Sequence, residues 1–142
     1  MSEINTINEY LVDISNISLT IIGICLAVFT LLYSFIQNYR DKLSLNNEEI
    51  RRGNKNISLR KQVSFYRTIL RTFKRANQHV IIILIINTIQ FISSKLAYYT
   101  IDGISLKKNI SYFLIVICIA QILYTLILLV FVLKTYYKTT RT

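Results

Sequence analysis

Between Leu59 and Thr100 the chain holds no proline and no glycine, so nothing local stops one helix from running the whole stretch. Its two halves differ in chemistry. The first, LRKQVSFYRTILRTFKRANQ, carries Arg60, Lys61, Arg67, Arg71, Lys74 and Arg75 and no acid; the second, HVIIILIINTIQFISSKLAYYT, is almost wholly apolar. About 20 residues at roughly 1.5 Å each cross a hydrocarbon core of about 30 Å, so the second half is long enough to span a bilayer. A cationic helix that turns into an apolar span constrains where every other segment can go.

Two more apolar blocks, Ile17–Ile36 and Tyr112–Leu133, contain no charge, and the block His79–Tyr99 contains only Lys95 and, at its edge, the single histidine. Apolar residues make up 53% of the 142-residue chain and concentrate in these blocks. A helix apolar on all sides for that length suits lipid better than a small water-soluble core. The fold class expected is all-α, an integral membrane protein with three transmembrane helices in a single membrane domain. Its segments are a short outer amphipathic piece (1–16), span 1 (17–36), a basic helical hairpin (37–78), span 2 (79–99), an outer loop (100–111), span 3 (112–133) and a tail (134–142). No basic residue precedes the first block and no A-x-A-like site follows it, so a cleaved signal peptide is not expected.

Lysine and arginine set the expected orientation. Met1–Asn16 has none, Gln37–Gln78 has eleven against three acids, Thr100–Ser111 has two, and the tail has three, Lys134, Lys138 and Arg141. The N-terminus is expected outside and the C-terminus in the cytoplasm, and the net charge of +10 reads mainly as a topology signal. Tyr98, Tyr99, Tyr112, Tyr136 and Tyr137 fall at span ends, where aromatic rings anchor at the interface.

Periodicity adds detail. Ile4, Ile7, Leu11 and Ile14 recur at helical spacing between Glu3, Glu9 and Asp13, a short amphipathic pattern suited to the outer surface. In span 1 Thr20, Gly23, Ala27, Thr30 and Ser34 share one side, a seam of small residues that lets another helix approach closely. That seam can pack against the other spans of the same chain or against a second copy. Beyond it, Ile36, Tyr39, Leu43 and Ile50 continue an apolar face; Gly53 suits a helix stop, and Asn56 or Ser58 suits a cap. Leu59, Val63, Tyr66, Leu70 and Phe73 form the facing stripe of the second arm. The six basic residues there suit either a projecting hairpin that binds a partner or an arm lying on anionic lipid.

Span 2 places Asn87, Gln90, Ser94 and Ala97 on one side, and span 3 places Cys118, Gln121 and Thr125 on one side. Amides cannot favourably face acyl chains, so these residues must meet another helix, each other or water. Asn87, Gln90, Ser94, Gln121 and Thr125 are therefore candidate pore-lining or interhelical polar residues, with Gln121 the natural partner for Asn87 or Gln90. Catalysis has little foothold. His79 has no acid near it in sequence, Cys25 and Cys118 sit within apolar spans, and no metal spacing, phosphate loop or nucleophile elbow occurs. No enzyme activity, catalytic residue, metal or cofactor is expected, and no nucleic-acid recognition motif is present.

With three spans, N-out and C-in, the topology resembles that of class I phage holins. The stretch LAVFTLLYSFIQNY with its helical cytoplasmic arms is similar to small multi-pass membrane effectors of bacterial antiphage defence, of the SLATT type. The resemblance, over residues 17–100, implies membrane permeabilisation on activation in the inner (cytoplasmic) membrane. The long basic hairpin departs from the short connections of holins, and the lack of an attached sensor implies a trigger from a separate partner. The expected function is an oligomeric pore-forming or membrane-disrupting effector whose partners are the bilayer, further copies of the chain and a cytoplasmic sensor protein. The alternative is a non-catalytic membrane anchor or accessory subunit whose basic hairpin docks a protein partner.

Overall fold

The computed structural model describes residues 2–53 and 56–140; Met1, Lys55 and Arg141, which belong to the flanking segments, lie outside the described residues. The described residues form three α-helices, α1 (Ser2–Arg51), α2 (Ile57–Thr100) and α3 (Ile104–Thr140). All three are long and apolar enough to cross a membrane. At about 1.5 Å per residue even the shortest exceeds a hydrocarbon core by roughly 25 Å. Uninterrupted helix is what the composition dictates: the chain has no proline and only three glycines, two of which stand at or beside the turns.

Two boundaries differ from the sequence reading. Residues 2–16, expected as a separate outer piece, form the start of α1, because no breaker divides them from the apolar block that follows. The connection between α2 and α3, expected over residues 100–111, is only Ile101, Asp102 and Gly103, with the Lys107 amide already donating to the Gly103 carbonyl at 3.0 Å. Asp102-Gly103 is the sequence signal for that turn. The chain divides into two compact units, Met1–Leu26 with Ile81–Thr142, and Ala27–Val80.

The first unit brings together one end of α1, the second half of α2 and α3. Ile7, Leu11 and Ile14 are buried in one cluster with Ala97 and Leu114, flanked by Tyr98, Ile101, Ile110 and Ile115. The amphipathic face of the N-terminal segment thus docks on protein rather than lying on a lipid surface. Lys107 is buried at 7% exposure, its ammonium donating to the Tyr98 carbonyl at 3.1 Å and lying 5.5 Å from the Tyr98 ring centroid. Carbonyls of the last turn of α2 have no partner within the helix, and a cation there also meets the negative end of its dipole.

Glu3 and Lys108 form an exposed ion pair at 2.7 Å. The hydrogen bond from Lys108, with its charge, lowers the Glu3 carboxyl below its ordinary value, and the same contact raises the Lys108 ammonium. The sign comes from linkage. The Glu3 contribution is present above the ordinary carboxylate value of 4.5 and lost as pH falls through the depressed one; the Lys108 contribution is present below 10.5 and lost as pH rises through the raised one. Both groups stand in solvent, so this contact orders the N-terminus more than it stabilises the fold.

In the second unit, residues before and after the Gly53 turn pack ring on ring. Phe35 lies 5.6 Å from Phe73, Tyr39 lies 5.9 Å from Phe73 and 5.7 Å from Tyr66, and Asn46 Nδ2 donates to Gln62 Oε1 at 3.3 Å. Residue numbers fall on α2 as they rise on α1, the register of an antiparallel pair. Val63, Ile69, Phe73, Ala76 and Val80 form the buried stripe, so Ile69 and Ala76 join the positions expected from periodicity while Leu70 is half-buried. Asn56 Oδ1 accepts from the Ser58 amide at 3.0 Å and caps α2, and Gly53 ends α1 with φ at 93°. An L side chain at that backbone angle is strained even though an added Cβ would meet no atom. Gly53→Ala is expected to destabilise this unit by about 1–2 kcal/mol, read as a lower unfolding midpoint; an unchanged midpoint would show that the turn adopts another conformation.

Candidate functional site: a polar track between three helices

All five candidate polar residues of spans 2 and 3 point into the first unit. Asn87 and Ser94 are fully buried, and Gln90, Gln121 and Thr125 nearly so. Ser15 and Ser18 of α1 and Ser111 of α3 join them. Periodicity alone does not single out those three serines. A signal exists in α1, since Leu11, Ser15, Ser18 and Cys25 share one face at helical spacing, but nothing local ranks that face above its neighbour.

Gln90 Nε2 crosses from α2 to donate to the Leu114 carbonyl of α3 at 3.1 Å. Asn87 Nδ2 donates to the Ile83 carbonyl of its own helix at 2.9 Å. Ser94 Oγ and Ser111 Oγ likewise bond back to Phe91 and Lys107. These bonds use one donor of each of these side chains and leave other polar atoms over. Ser15 Oγ, Ser18 Oγ, Asn87 Oδ1, Gln90 Oε1, Thr125 Oγ1 and both ends of the Gln121 amide are buried with no hydrogen-bond partner among the described residues. A buried polar atom left in this condition costs about 1–3 kcal/mol, and such groups in folded proteins ordinarily hold a water or an ion.

Gln121 does not pair with Asn87 or Gln90, contrary to expectation. The contacts of Gln90 with Leu114 and of Lys107 with Tyr98 set an antiparallel register that puts Gln121 level with Ile83. That is one turn, about 6 Å, from Asn87 along the axis. The polar groups therefore succeed one another along the bundle instead of closing on each other. From Ser111 to Thr125 they extend over about 21 Å of helix, most of the thickness of a hydrocarbon core. Cys25 and Cys118 are buried free thiols beside this track.

Thr20, Gly23, Ala27, Thr30 and Ser34 are all exposed, and a Cβ built on Gly23 would meet nothing within 4 Å. The seam therefore does not mediate packing within the chain; α1 turns Ser15, Ser18, Ile21, Cys25 and Leu32 inward instead. Large apolar side chains flank the seam on the same outer surface, among them Leu19, Ile24, Leu26 and Leu31. On α2, Arg60, Lys61, Arg67, Arg71, Lys74 and Arg75 are all exposed, and among the described residues none of them makes an ion pair. No group of His, Cys, Asp and Glu among the described residues could hold a metal ion.

No family model, curated protein or solved structure matches the chain.

Proposed function

We propose that this chain is a membrane effector that spans the cytoplasmic membrane of a bacterial cell three times and permeabilises it as an oligomer. The observation that carries the reading is the polar track: side chains from three apolar helices converge on one interior and leave seven of their polar atoms unpartnered. A helix bundle built only to sit in lipid has no use for that cost, whereas a wet path needs such groups. The exposed seam Thr20, Gly23, Ala27, Thr30 and Ser34 offers the surface on which copies pack, since small residues allow close approach where lipid supplies no hydrophobic drive. In this arrangement the N-terminus lies outside and the basic residues of α2 lie in the cytoplasm.

One observation favours a second reading. The six exposed basic residues of α2, which make no ion pair among the described residues, suit docking to an acidic protein, which would make the chain an accessory or anchoring subunit. Controlled expression in a bacterial host with a voltage-sensitive dye separates the two. Permeabilisation predicts growth arrest and loss of membrane potential soon after induction, retained in Arg67→Glu/Arg71→Glu/Lys74→Glu. Unimpaired growth with an intact potential, together with a captured protein partner that the triple variant loses, would establish the docking role instead.

A further inference from the structure

We infer that the track takes monovalent cations with their water and turns anions away. The inference rests on the permeabilising reading and names what passes. Backbone carbonyls only accept hydrogen bonds, so the bonds to Ile83 and Leu114 commit the amide nitrogens of Asn87 and Gln90 and leave Oδ1 and Oε1 as the free ends. Gln121 Oε1 and the hydroxyls of Ser15, Ser18 and Thr125 add further unpartnered oxygens. Against these six oxygens stands one wholly unbonded amide nitrogen, that of Gln121; Asn87 and Gln90 each keep a second N–H, and the three hydroxyls can rotate their protons away from a cation. A lining of this kind presents the negative ends of dipoles to whatever enters.

Among the described residues, no lysine or arginine side chain hydrogen-bonds to a polar atom of the track. Lys107, buried beyond its outer end, is turned onto the Tyr98 carbonyl. At that same end Asn8, Glu9, Val12, Asp13 and Tyr98 line a cleft of about 360 Å³. Glu9 and Asp13 are exposed and, among the described residues, make no ion pair, so their carboxylates raise the local concentration of cations. Asn8 Oδ1 is another buried oxygen without a partner, and Asn8, Ser15 and Ser18 succeed one another on one face of α1. The oxygens thus run from an acidic cleft into the bundle.

The absence of a carboxylate among the track residues selects valence. A divalent ion sheds its water reluctantly and needs ligand charge to do so, whereas amide and hydroxyl oxygens hold a potassium or sodium ion weakly enough to release it.

The test is the purified full chain in a planar bilayer under a potassium chloride gradient. The expected reversal potential moves toward the potassium equilibrium value, with potassium preferred over chloride by roughly tenfold or more. Gln121→Met/Thr125→Val removes oxygens that bond nothing in the chain while nearly keeping side-chain volume, so the fold survives and the cation current falls severalfold. Glu9→Gln/Asp13→Asn lowers the current at low salt and leaves it unchanged at high salt, where screening already hides the carboxylates. A conductance that reverses near zero or toward chloride overturns this inference and spares the permeabilising reading. A cation current indifferent to Gln121→Met/Thr125→Val also overturns it, because the path then lies elsewhere. A silent bilayer overturns both.

Discussion

Asn87→Leu/Gln90→Leu is expected to abolish depolarisation in expressing cells while the protein still accumulates in the membrane fraction. Both side chains lie inside the bundle, and each contributes one buried oxygen that bonds nothing. Removing those oxygens relieves a cost of about 1–3 kcal/mol apiece. The bonds lost are small, since contacts of this type inside membranes average about 0.6 kcal/mol. Leucine is close in volume to Gln90 but larger than Asn87, and overfilling that site costs about 1–3 kcal/mol. These terms offset, so the fold is retained while the middle of the track becomes apolar and dry. The measurement pairs dye fluorescence with an unfolding curve of the purified variant. Full depolarisation by a variant that is folded and inserted would place the path outside the bundle interior and sink the role assigned to it.

The second large effect is on stability. Phe73 is 1% exposed and lies within ring-contact distance of both Phe35 and Tyr39. Phe73→Ala deletes the centre of that cluster and leaves a cavity the two remaining rings cannot fill, at a cost of about 3–5 kcal/mol. The unit formed by Ala27–Val80 should open far more often, because a helical pair of this size has few other large buried side chains. Limited trypsin digestion reads this directly. The exposed Arg60, Lys61, Arg67 and Arg71 become cleavage sites only when the local helix frays. Digestion at the wild-type rate would mean that Val63, Ile69 and Ala76 hold the pair without Phe73.

Much of the architecture is legible in the residue order. Three apolar blocks without proline dictate three long helices, because lipid satisfies no backbone group and a helix satisfies its own. Among the described residues Gly53 alone has a positive φ, a conformation glycine adopts without strain, so the first turn falls there, and Asn56 caps α2 just beyond it. The aromatic and aliphatic stripes on either side of that turn share a 3.6-residue period, which is why Tyr39, Tyr66 and Phe73 are expected on facing surfaces. The amides Asn87, Gln90 and Gln121 stand out for the opposite reason: they are the residues an apolar environment tolerates least, and all three are buried.

The order of residues settles which side chains share a helix face; the partner of each face is settled only when the helices pack. In α1 the face of Thr20, Gly23 and Ala27 and the face of Ser15, Ser18 and Cys25 are both small and weakly polar, and only the packed structure turns the second inward. Lipid chains are about as apolar as leucine, so the hydrophobic effect, which distinguishes inside from outside in water, gives almost no preference between the two faces. The axial register is likewise tertiary. A turn of three residues, rather than the longer loop suggested by polar composition, sets Gln90 against Leu114 and leaves Gln121 a turn away from Asn87. Periodicity puts the polar residues on common faces, and the short connection between α2 and α3 strings them into a track instead of letting them pair.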